Sequence, residues 1–153
     1  MNSQNNNEKP KLFTFTVPGK PQGKARARTF YNSKSDKMSS VTPEKTVLYE
    51  NLIKTCFQQK YGQKRFSDDA YVVANILAYF EPPKSISKKK REDMLTGKIW
   101  PAKKPDSDNI AKVVLDALNG IAYHDDTQIV MVVAKKVYSS LEGLDVTVEE
   151  YKG

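Results

Sequence analysis

Apolar positions along the chain fall into segments with the two-residue period of strands and segments with the period of helices. Leu12–Val17 alternates apolar residues with threonine, which predicts a half-buried strand. Tyr71–Phe80 is almost continuously apolar and rich in β-branched and aromatic residues, which predicts a central strand. Ile129–Tyr138 and Leu144–Tyr151 predict two further strands, and the short turn between them predicts an antiparallel hairpin.

Two helices are predicted in the first two thirds of the chain. Thr42 is a candidate N-cap, followed by Pro43, for a helix that runs to about Lys60. Its predicted apolar side comprises Leu48, Leu52, Cys56 and Phe57. A short basic helix follows Ser87 as its N-cap. Residues 19–38 are rich in Lys, Arg, Gly and Ser without a period, which is typical of an exposed basic loop.

A third helix has the clearest apolar face of the chain. Its apolar positions are Ile110, Val113, Val114, Ala117, Leu118 and Ile121. Ser107 or Asp108 would cap this helix, and Asn119 would end it. At about 100° per residue, Asp108, Lys112 and Asp116 fall on the opposite, polar face. We therefore expect Lys112 to lie one turn beyond Asp108 and close to it.

The order of these elements predicts an α/β chain of the mixed α+β kind, with one mixed sheet of about four strands covered by helices. The 153 residues suffice for one hydrophobic core, which predicts a single domain over residues 11–153. Residues 1–10 are polar and asparagine-rich, which predicts a disordered leader.

Charge and cysteine content narrow the class of partner and the compartment. The formal net charge of +7 and the sequence pI of about 9.3 favour polyanionic partners, with nucleic acid first among them. Cys56 is the only cysteine, so the chain forms no internal disulfide. The sequence shows neither a secretory signal pattern nor a long apolar segment, which predicts a cytoplasmic protein.

Four carboxylates flank the third helix. Asp106 and Asp108 stand at its entrance, and Asp125 and Asp126 follow its end. If the two pairs meet, their mutual repulsion favours a divalent cation between them, and hard oxygen ligands favour Mg²⁺. Such a cation would lower the pKa of a bound water and neutralise charge on a phosphodiester. Lys112 would then stabilise negative charge on the phosphate or on the leaving oxygen.

Each of these residues also has an ordinary structural interpretation. Asp108 alone is explained as a helix cap, and adjacent aspartates such as Asp125–Asp126 often mark only a turn. Lys112 could be a solvated partner of a nearby acid, and Asp116 is interpreted as a solvated partner rather than a ligand. His124, the only histidine, is interpreted as polar surface in a turn.

The combined motif is more specific than its parts. It comprises KPDSDN at 104–109, Lys112, DALNG at 116–120 and DD-x-Q at 125–128, and it resembles the RusA family of Holliday junction resolvases. The resemblance is sharpest over residues 104–129 and extends loosely from the first strand to the last. It implies a Mg²⁺-dependent endodeoxyribonuclease, with Mn²⁺ as an expected substitute, that acts as a homodimer on four-way DNA junctions. It also implies a role in DNA recombination and repair, in the nucleoid of a bacterium or encoded by a phage.

Site residues follow from the resemblance position by position. The expected catalytic residues are Asp106, Asp108, Asp126 and Lys112. The expected metal ligands are Asp106, Asp108, Asp125 and Asp126. Asp125 and Asn109 are expected to support the essential acids. Positive charge near the acidic motif, rather than the resemblance, gives the expected DNA-binding residues, which are Lys24, Arg26, Arg28, Lys88, Lys89, Lys90, Arg91, Lys103 and Lys104.

Two other functions and the dimer interface stay open at the level of sequence. The motif fits equally a metal nuclease for flaps, forks and other branched DNA. A noncatalytic junction-binding protein, whose acids only cap a helix and form a turn, is the second alternative. Two monomers related by the near two-fold symmetry of a junction would present equal sites to opposite strands. The apolar segment Tyr71–Phe80 and the C-terminal hairpin are both candidates for the interface.

Overall fold

Three α-helices and six strands make up the computed structural model, which describes residues 11–153. The predicted leader, residues 1–10, lies outside the described residues. In chain order the elements are β1 (Leu12–Pro18), β2 (Arg28–Asn32), β3 (Lys37–Val41), α1 (Glu44–Tyr61), β4 (Val72–Phe80), α2 (Lys88–Leu95), α3 (Ser107–Leu118), β5 (Ile129–Tyr138) and β6 (Gly143–Glu150). The predicted mixed α+β class is confirmed. Within the described range, no helix is both long and apolar enough to cross a membrane.

The main sheet has the strand order β1-β6-β4-β5. β4 runs parallel to β5 and antiparallel to β6, and β6 runs antiparallel to β1. The predicted hairpin of the last two strands was therefore wrong, because β4 lies between them. Burial is consistent with this order, because Leu144, Val146 and Val148 of β6 are fully buried, as expected for a strand in the middle of a sheet. β5 carries two lysines, Lys135 and Lys136, in its second half, which an edge strand tolerates.

The core lies between one face of this sheet and the helices α1 and α3. Phe13 of β1 packs edge-to-face against Phe57 and Phe66, with ring centroids 5.4 and 4.9 Å apart. The apolar face predicted for α3 is buried apart from the half-buried Ile121, which follows the helix. The apolar side predicted for α1 was wrong at Leu48 and Leu52, which are 60% and 37% exposed, and right at Phe57, which is fully buried. The buried residues of α1 are Thr46, Tyr49, Ile53 and Phe57.

The segment predicted as a basic loop contains a small antiparallel hairpin of β2 and β3. Its exposure was predicted correctly, but its regular structure was not. The turn is built from residues that favour turns: Asn32 Oδ1 accepts the Lys34 N–H at 3.0 Å, and Asp36 adopts a φ of +52°. These two residues, flanked by two short segments of similar length, were the available sequence signal for a hairpin.

Candidate functional site

The N-terminus of α3 presents the first pair of carboxylates. Asp106 is the N-cap residue, one or two positions before the predicted caps Ser107 and Asp108, and its carbonyl accepts the Ile110 N–H at 3.0 Å. Its side chain makes no capping hydrogen bond, and Asp108 lies exposed in the first turn. Both carboxylates therefore stand at the positive end of the helix dipole. The Asp106 carboxylate is not engaged in capping and is available to an external ligand.

Long-range contacts fix the segment that leads into α3. Lys136 of β5 donates from Nζ to the carbonyl oxygens of Lys103 and Pro105, at 2.7 and 3.1 Å. On the other side, Gly23 lies against α3 so closely that a Cβ there would come within 2.9 Å of the Asn109 Cβ. Neither Lys136 nor Gly23 was predicted from the sequence. Only the glycine gave a signal, because it marks a possible close approach of backbone.

The second pair of carboxylates lies in a tight turn before β5. The Asp125 carboxylate accepts the Thr127 N–H at 3.0 Å and caps a short 3₁₀ turn, Asp126–Gln128. The side-chain oxygen of Gln128 accepts the N–H groups of His124 and Asp125, at 2.9 and 3.2 Å, which completes a capping box. Asp125 thus helps to form a turn, which was the ordinary structural explanation for this pair of aspartates.

Two amide side chains of the motif hold this turn in place. Gln128 donates from Nε2 to the carbonyl oxygens of Ser67 and Ala70, at 3.0 and 3.1 Å, in the segment before β4. Asn119, the C-cap residue of α3, accepts the Asp126 N–H on its Oδ1 at 3.1 Å. The end of α3 is thereby tied directly to the acidic turn. These contacts explain structurally why the motif has an amide side chain at positions 119 and 128.

The two neighbouring aspartates of the turn differ in acidity. Hydrogen bonding from the Thr127 backbone, and then from Asp126, lowers the pKa of Asp125 below its ordinary value. The hydrogen bond with Asp125 raises the pKa of Asp126, and desolvation and the charges of Asp125 and Asp116 add to this rise. Because one proton shared by the pair relieves its repulsion, a bound cation would relieve it in the same way.

Asp116 pairs with a lysine from the other end of the chain. The Lys24 ammonium lies 3.1 Å from the Asp116 carboxylate and 2.6 Å from that of Glu50. Burial lowers the pKa of Lys24, but hydrogen bonds to Glu50 and Asp116 outweigh this effect, and the net shift is upward. Asp116 is thus a lysine partner, as expected, and the partner is Lys24 rather than Lys112. The ion pairs found in residues 11–153 do not include Lys112.

The two acidic pairs lie at opposite ends of α3. This helix of 12 residues is about 18 Å long. Across residues 11–153, no group of three or more His, Cys, Asp and Glu side chains is placed to hold a metal ion. The expected cluster of Asp106, Asp108, Asp125 and Asp126 is therefore not formed within one chain. The physical reason is that the structure keeps α3 between the two pairs.

A basic groove of about 1000 Å³ opens beside Asp106. Four of its lining residues are positively charged: Lys20, Arg26, Lys45 and Lys104. A fifth, Lys24, is committed to its two carboxylates. Leu48 and Leu52 of α1 also line the groove, which explains why these leucines are absent from the core. The groove can accommodate a negatively charged chain against the free carboxylate of Asp106.

The other predicted DNA-binding residues differ in how far they are already engaged. On α2, Lys89 pairs with Asp93 at 3.2 Å, and Arg91 donates to the Pro83 carbonyl at 3.0 Å. The Lys103 ammonium lies 5.8 Å from the centre of the Tyr138 ring. Five others are exposed, and their side chains take part in none of the hydrogen bonds or ion pairs found in residues 11–153: Arg26, Arg28, Lys88, Lys90 and Lys104.

A basic groove beside an exposed helix entrance is typical of a protein that binds a polyanion. Comparison with known proteins makes this class specific. The chain belongs to the endodeoxyribonuclease RusA family, whose model matches residues 18–149. It is also 32% identical over 138 residues to the uncharacterized protein YqaN of Bacillus subtilis (strain 168), and this match covers 89% of the chain and 94% of that protein. The resemblance in the motif is confirmed, and the chain is an endodeoxyribonuclease by family.

Proposed function

We propose that this protein is a Mg²⁺-dependent endodeoxyribonuclease that resolves four-way DNA junctions by symmetric phosphodiester hydrolysis, in recombination and repair. The observation that carries the proposal is the free carboxylate of Asp106 at the start of α3, beside a basic groove, in a chain of the RusA family. A homodimer is part of the proposal. Because a four-way junction has near two-fold symmetry, two equal sites would cut opposite strands.

The groove supplies the binding part of this function. Lys20, Arg26, Lys45 and Lys104 all line it together with Asp106, and Lys104 is two residues before this acid in the sequence. Phosphates neutralised by these side chains would release counterions, which drives binding without reading the sequence. The same contacts would direct one backbone phosphate toward Asp106, since this residue also lines the groove. The groove thus orients the scissile strand before any chemistry.

The donor set fits Mg²⁺, although residues 11–153 form no complete cage for it. This cation is usually held by one or two carboxylates together with substrate phosphates and waters, so a complete protein cage is not needed. Asp106 and Asp108 would hold it through hard carboxylate oxygens, and Mn²⁺ is expected to substitute. When bound, the cation would supply an acidified water and a Lewis acid for the phosphate oxygens. The roles carried over for Asp125 and Asp126 stay predictions, because α3 separates them from Asp106.

Lys112 would act on the substrate directly. It lies exposed one helical turn beyond Asp108, and the polar face of α3 carries both residues. An ammonium there would stabilise the negative charge that develops on the phosphate or the leaving oxygen. A Lys112→Met variant keeps the length of the side chain and removes its charge. We expect this variant to bind the junction and to cut it slowly.

The decisive experiment compares DNA substrates and variants under identical conditions. End-labelled four-way junction, flap, fork and linear duplex are each incubated with the protein in Mg²⁺ or in EDTA. Paired symmetric nicks in the junction, in Mg²⁺ only, are the expected result, with Asp106→Asn and Asp126→Asn inactive. Asp69→Asn, in a turn before β4, is the matched control and should cut normally.

Other outcomes of this experiment point to other functions. Flaps or forks cut much faster than junctions would make the protein a nuclease for other branched DNA. Junction binding without cutting under every condition would make it a noncatalytic junction-binding protein. Normal cutting by Asp106→Asn would show that the chemistry occurs elsewhere in the chain.

A further inference from the structure

The outer edge of β5 is apolar and exposed. Val130, Met131, Val132 and Val133 are consecutive, and each is 42–53% exposed. β5 is the last strand of the sheet, so one row of its backbone N–H and C=O groups has no neighbouring strand in the described chain. A long apolar edge of this kind favours association with another strand, and monomeric proteins usually protect it with charges or bulges. In β5 the charges, Lys135 and Lys136, occupy only the second half.

The opposite edge of the same sheet is protected. Tyr61 of α1 accepts the Thr14 N–H of β1 on its hydroxyl at 2.8 Å, and Lys60 donates to the Thr14 carbonyl at 2.6 Å. Side chains of α1 therefore occupy the centre of the β1 edge. Among the side-chain hydrogen bonds of residues 11–153, none engages the backbone of Val130–Val133. The two edges thus differ in their capacity to accept a further strand.

We propose that the β5 edge is the dimer interface: it pairs antiparallel with the β5 edge of a second copy, so that two four-stranded sheets form one eight-stranded sheet. This inference rests on the proposed function and names the surface of its homodimer. The predicted C-terminal hairpin, whose first strand is β5, was one of two interface candidates from sequence. The other, Tyr71–Phe80, contains β4, which is enclosed by β5 and β6 and offers no edge.

Charge along β5 favours a second copy in the antiparallel direction. Asp125 and Asp126 precede the strand, and Lys135 and Lys136 lie in its second half. Antiparallel pairing of two copies would place the acidic start of each strand toward the lysines of the other. Parallel pairing would instead place lysines beside lysines, which is unfavourable. The apolar run between these charges would lie at the centre of the interface.

Strand geometry restricts the pairing further. Facing residues of an antiparallel pair point to the same side of the sheet, so a two-fold axis perpendicular to the sheet must pass through a residue position. The register of β5 shifts at Val130 relative to β4, and its regular ladder begins at Met131. The axis is therefore expected at Met131, Val132 or Val133. Both α3 helices would then lie on the same side of the joined sheet and face one DNA substrate.

Disulfide trapping tests the pairing directly. In a Cys56→Ser background, cysteines are introduced one at a time as Met131→Cys, Val132→Cys and Val133→Cys. A residue on the axis faces its own copy at the separation that a disulfide requires. We expect rapid formation of a covalent dimer at one of these positions under mild oxidation. Leu12→Cys, on the β1 edge with 51% exposure, is the matched control and should stay monomeric on a denaturing gel. Equal or greater trapping at position 12 would overturn the proposal.

A charge substitution tests the same surface without a covalent bond. Val133→Glu would place like charges close together across the axis, and we expect the dimer to weaken by about tenfold or more. Leu141→Glu, 68% exposed in the turn after β5, should leave the dimer unchanged. Sedimentation measures the mass against 17.3 kDa for one chain. A wild-type monomer, or a Val133→Glu dimer of wild-type strength, would overturn the interface.

The outcomes for interface and function are separable. Symmetric junction cutting by a protein whose dimer resists Val133→Glu and gives no trapping at residues 131–133 would overturn only the interface. Efficient trapping at β5 in a protein that cuts no DNA would support the interface and overturn the nuclease proposal. If both hold, Val133→Glu should convert paired cuts into single nicks in the junction.

Discussion

The Lys24 ammonium lies 3.1 Å from the Asp116 carboxylate, which joins the basic N-terminal segment to α3. The backbone of Lys24 adds a second link, since its N–H donates to the Asn109 carbonyl at 2.9 Å. Its side chain is only 21% exposed, and a second carboxylate, Glu50, lies 2.6 Å from it. Lys24 therefore differs from the exposed Arg26 two residues later, although both were predicted to bind DNA. The structure assigns Lys24 first to holding the wall of the groove.

This difference predicts opposite behaviour for two matched substitutions. Lys24→Met leaves two carboxylates without their cation, and we expect it to lower the free energy of unfolding by about 1–2 kcal/mol. Arg26→Met should change stability by less than about 0.5 kcal/mol, because the side chain is exposed. Urea unfolding measures both. In DNA binding, Arg26→Met should reduce the salt slope by about one, whereas Lys24→Met should leave that slope unchanged. The reverse pattern would mean that Lys24 contacts phosphate.

The shifted pKa values of Asp125 and Asp126 predict how the stability of the fold depends on pH. The pKa of Asp126 lies above the ordinary 3.8, so its protonated form is favoured in the folded state, and this contribution to stability is lost as pH rises through the raised pKa. Asp125 behaves oppositely: its pKa is lowered, and its contribution is lost as pH falls through that value. Asp125→Asn should lower the pKa of Asp126 toward 3.8, because the largest cause of the rise is removed.

Carboxyl carbon resonances followed by NMR as a function of pH measure this shift. Asp69→Asn, which removes a nearby but unconnected acid, should leave the Asp126 titration unchanged. Addition of Mg²⁺ should lower the apparent pKa of Asp126 if the cation binds this pair. An Asp126 titration that is the same in wild type and Asp125→Asn would contradict the hydrogen bond between the two carboxyl groups.

The hydrogen bonds of Gln128 predict that this residue stabilises the fold, although it has no proposed catalytic role. Its side chain accepts two N–H groups and donates to two carbonyl oxygens, so Gln128→Ala leaves several backbone groups unpaired. We expect a loss of about 1–3 kcal/mol in the free energy of unfolding. Gln59→Ala, on the exposed side of α1, is the control and should have little effect. A stable Gln128→Ala protein with a normal melting temperature would show that water replaces these contacts.

Periodic segments were predictable from sequence, and spatial neighbours were not. β1, β4 and α3 follow directly from their apolar patterns, because one buried face of each element determines its period. The position of β6 between β1 and β4 was missed, since a short connection favours pairing of consecutive strands. The exposure of Leu48 was missed for a related reason: its apolar character indicates burial, while the groove that it lines is formed by residues 20–26.

In the candidate site, too, local features were predictable from the sequence and spatial neighbours were not. The motif predicted Asp106 and Asp126 as site residues because its spacing is local. The family match confirms the family that the motif indicated, and the roles of the two acids stay predictions. The separation of these acids by α3 depends on how the helix lies on the sheet, which no local pattern contains. Lys136 was likewise missed, since its contact with the Lys103 carbonyl spans 33 positions of sequence. Short motifs thus specify candidate chemistry, and the sheet order specifies where the candidates lie.

A substitution at Asp106 should change catalysis without changing the stability of the fold. Its side chain makes no capping hydrogen bond, and asparagine is as favourable as aspartate at a helix N-cap. Asp106→Asn should therefore melt within about 1–2 °C of the wild type in EDTA, because a surface change of this kind alters stability little. The loss of one negative charge beside the groove should leave junction binding equal or slightly tighter. Cutting in Mg²⁺ should nevertheless fall by about 100-fold or more, since a proposed cation ligand is lost.

Melting, binding in EDTA and single-turnover cutting measure the three quantities on one preparation. A variant that melts and cuts like the wild type would remove Asp106 from the catalytic site.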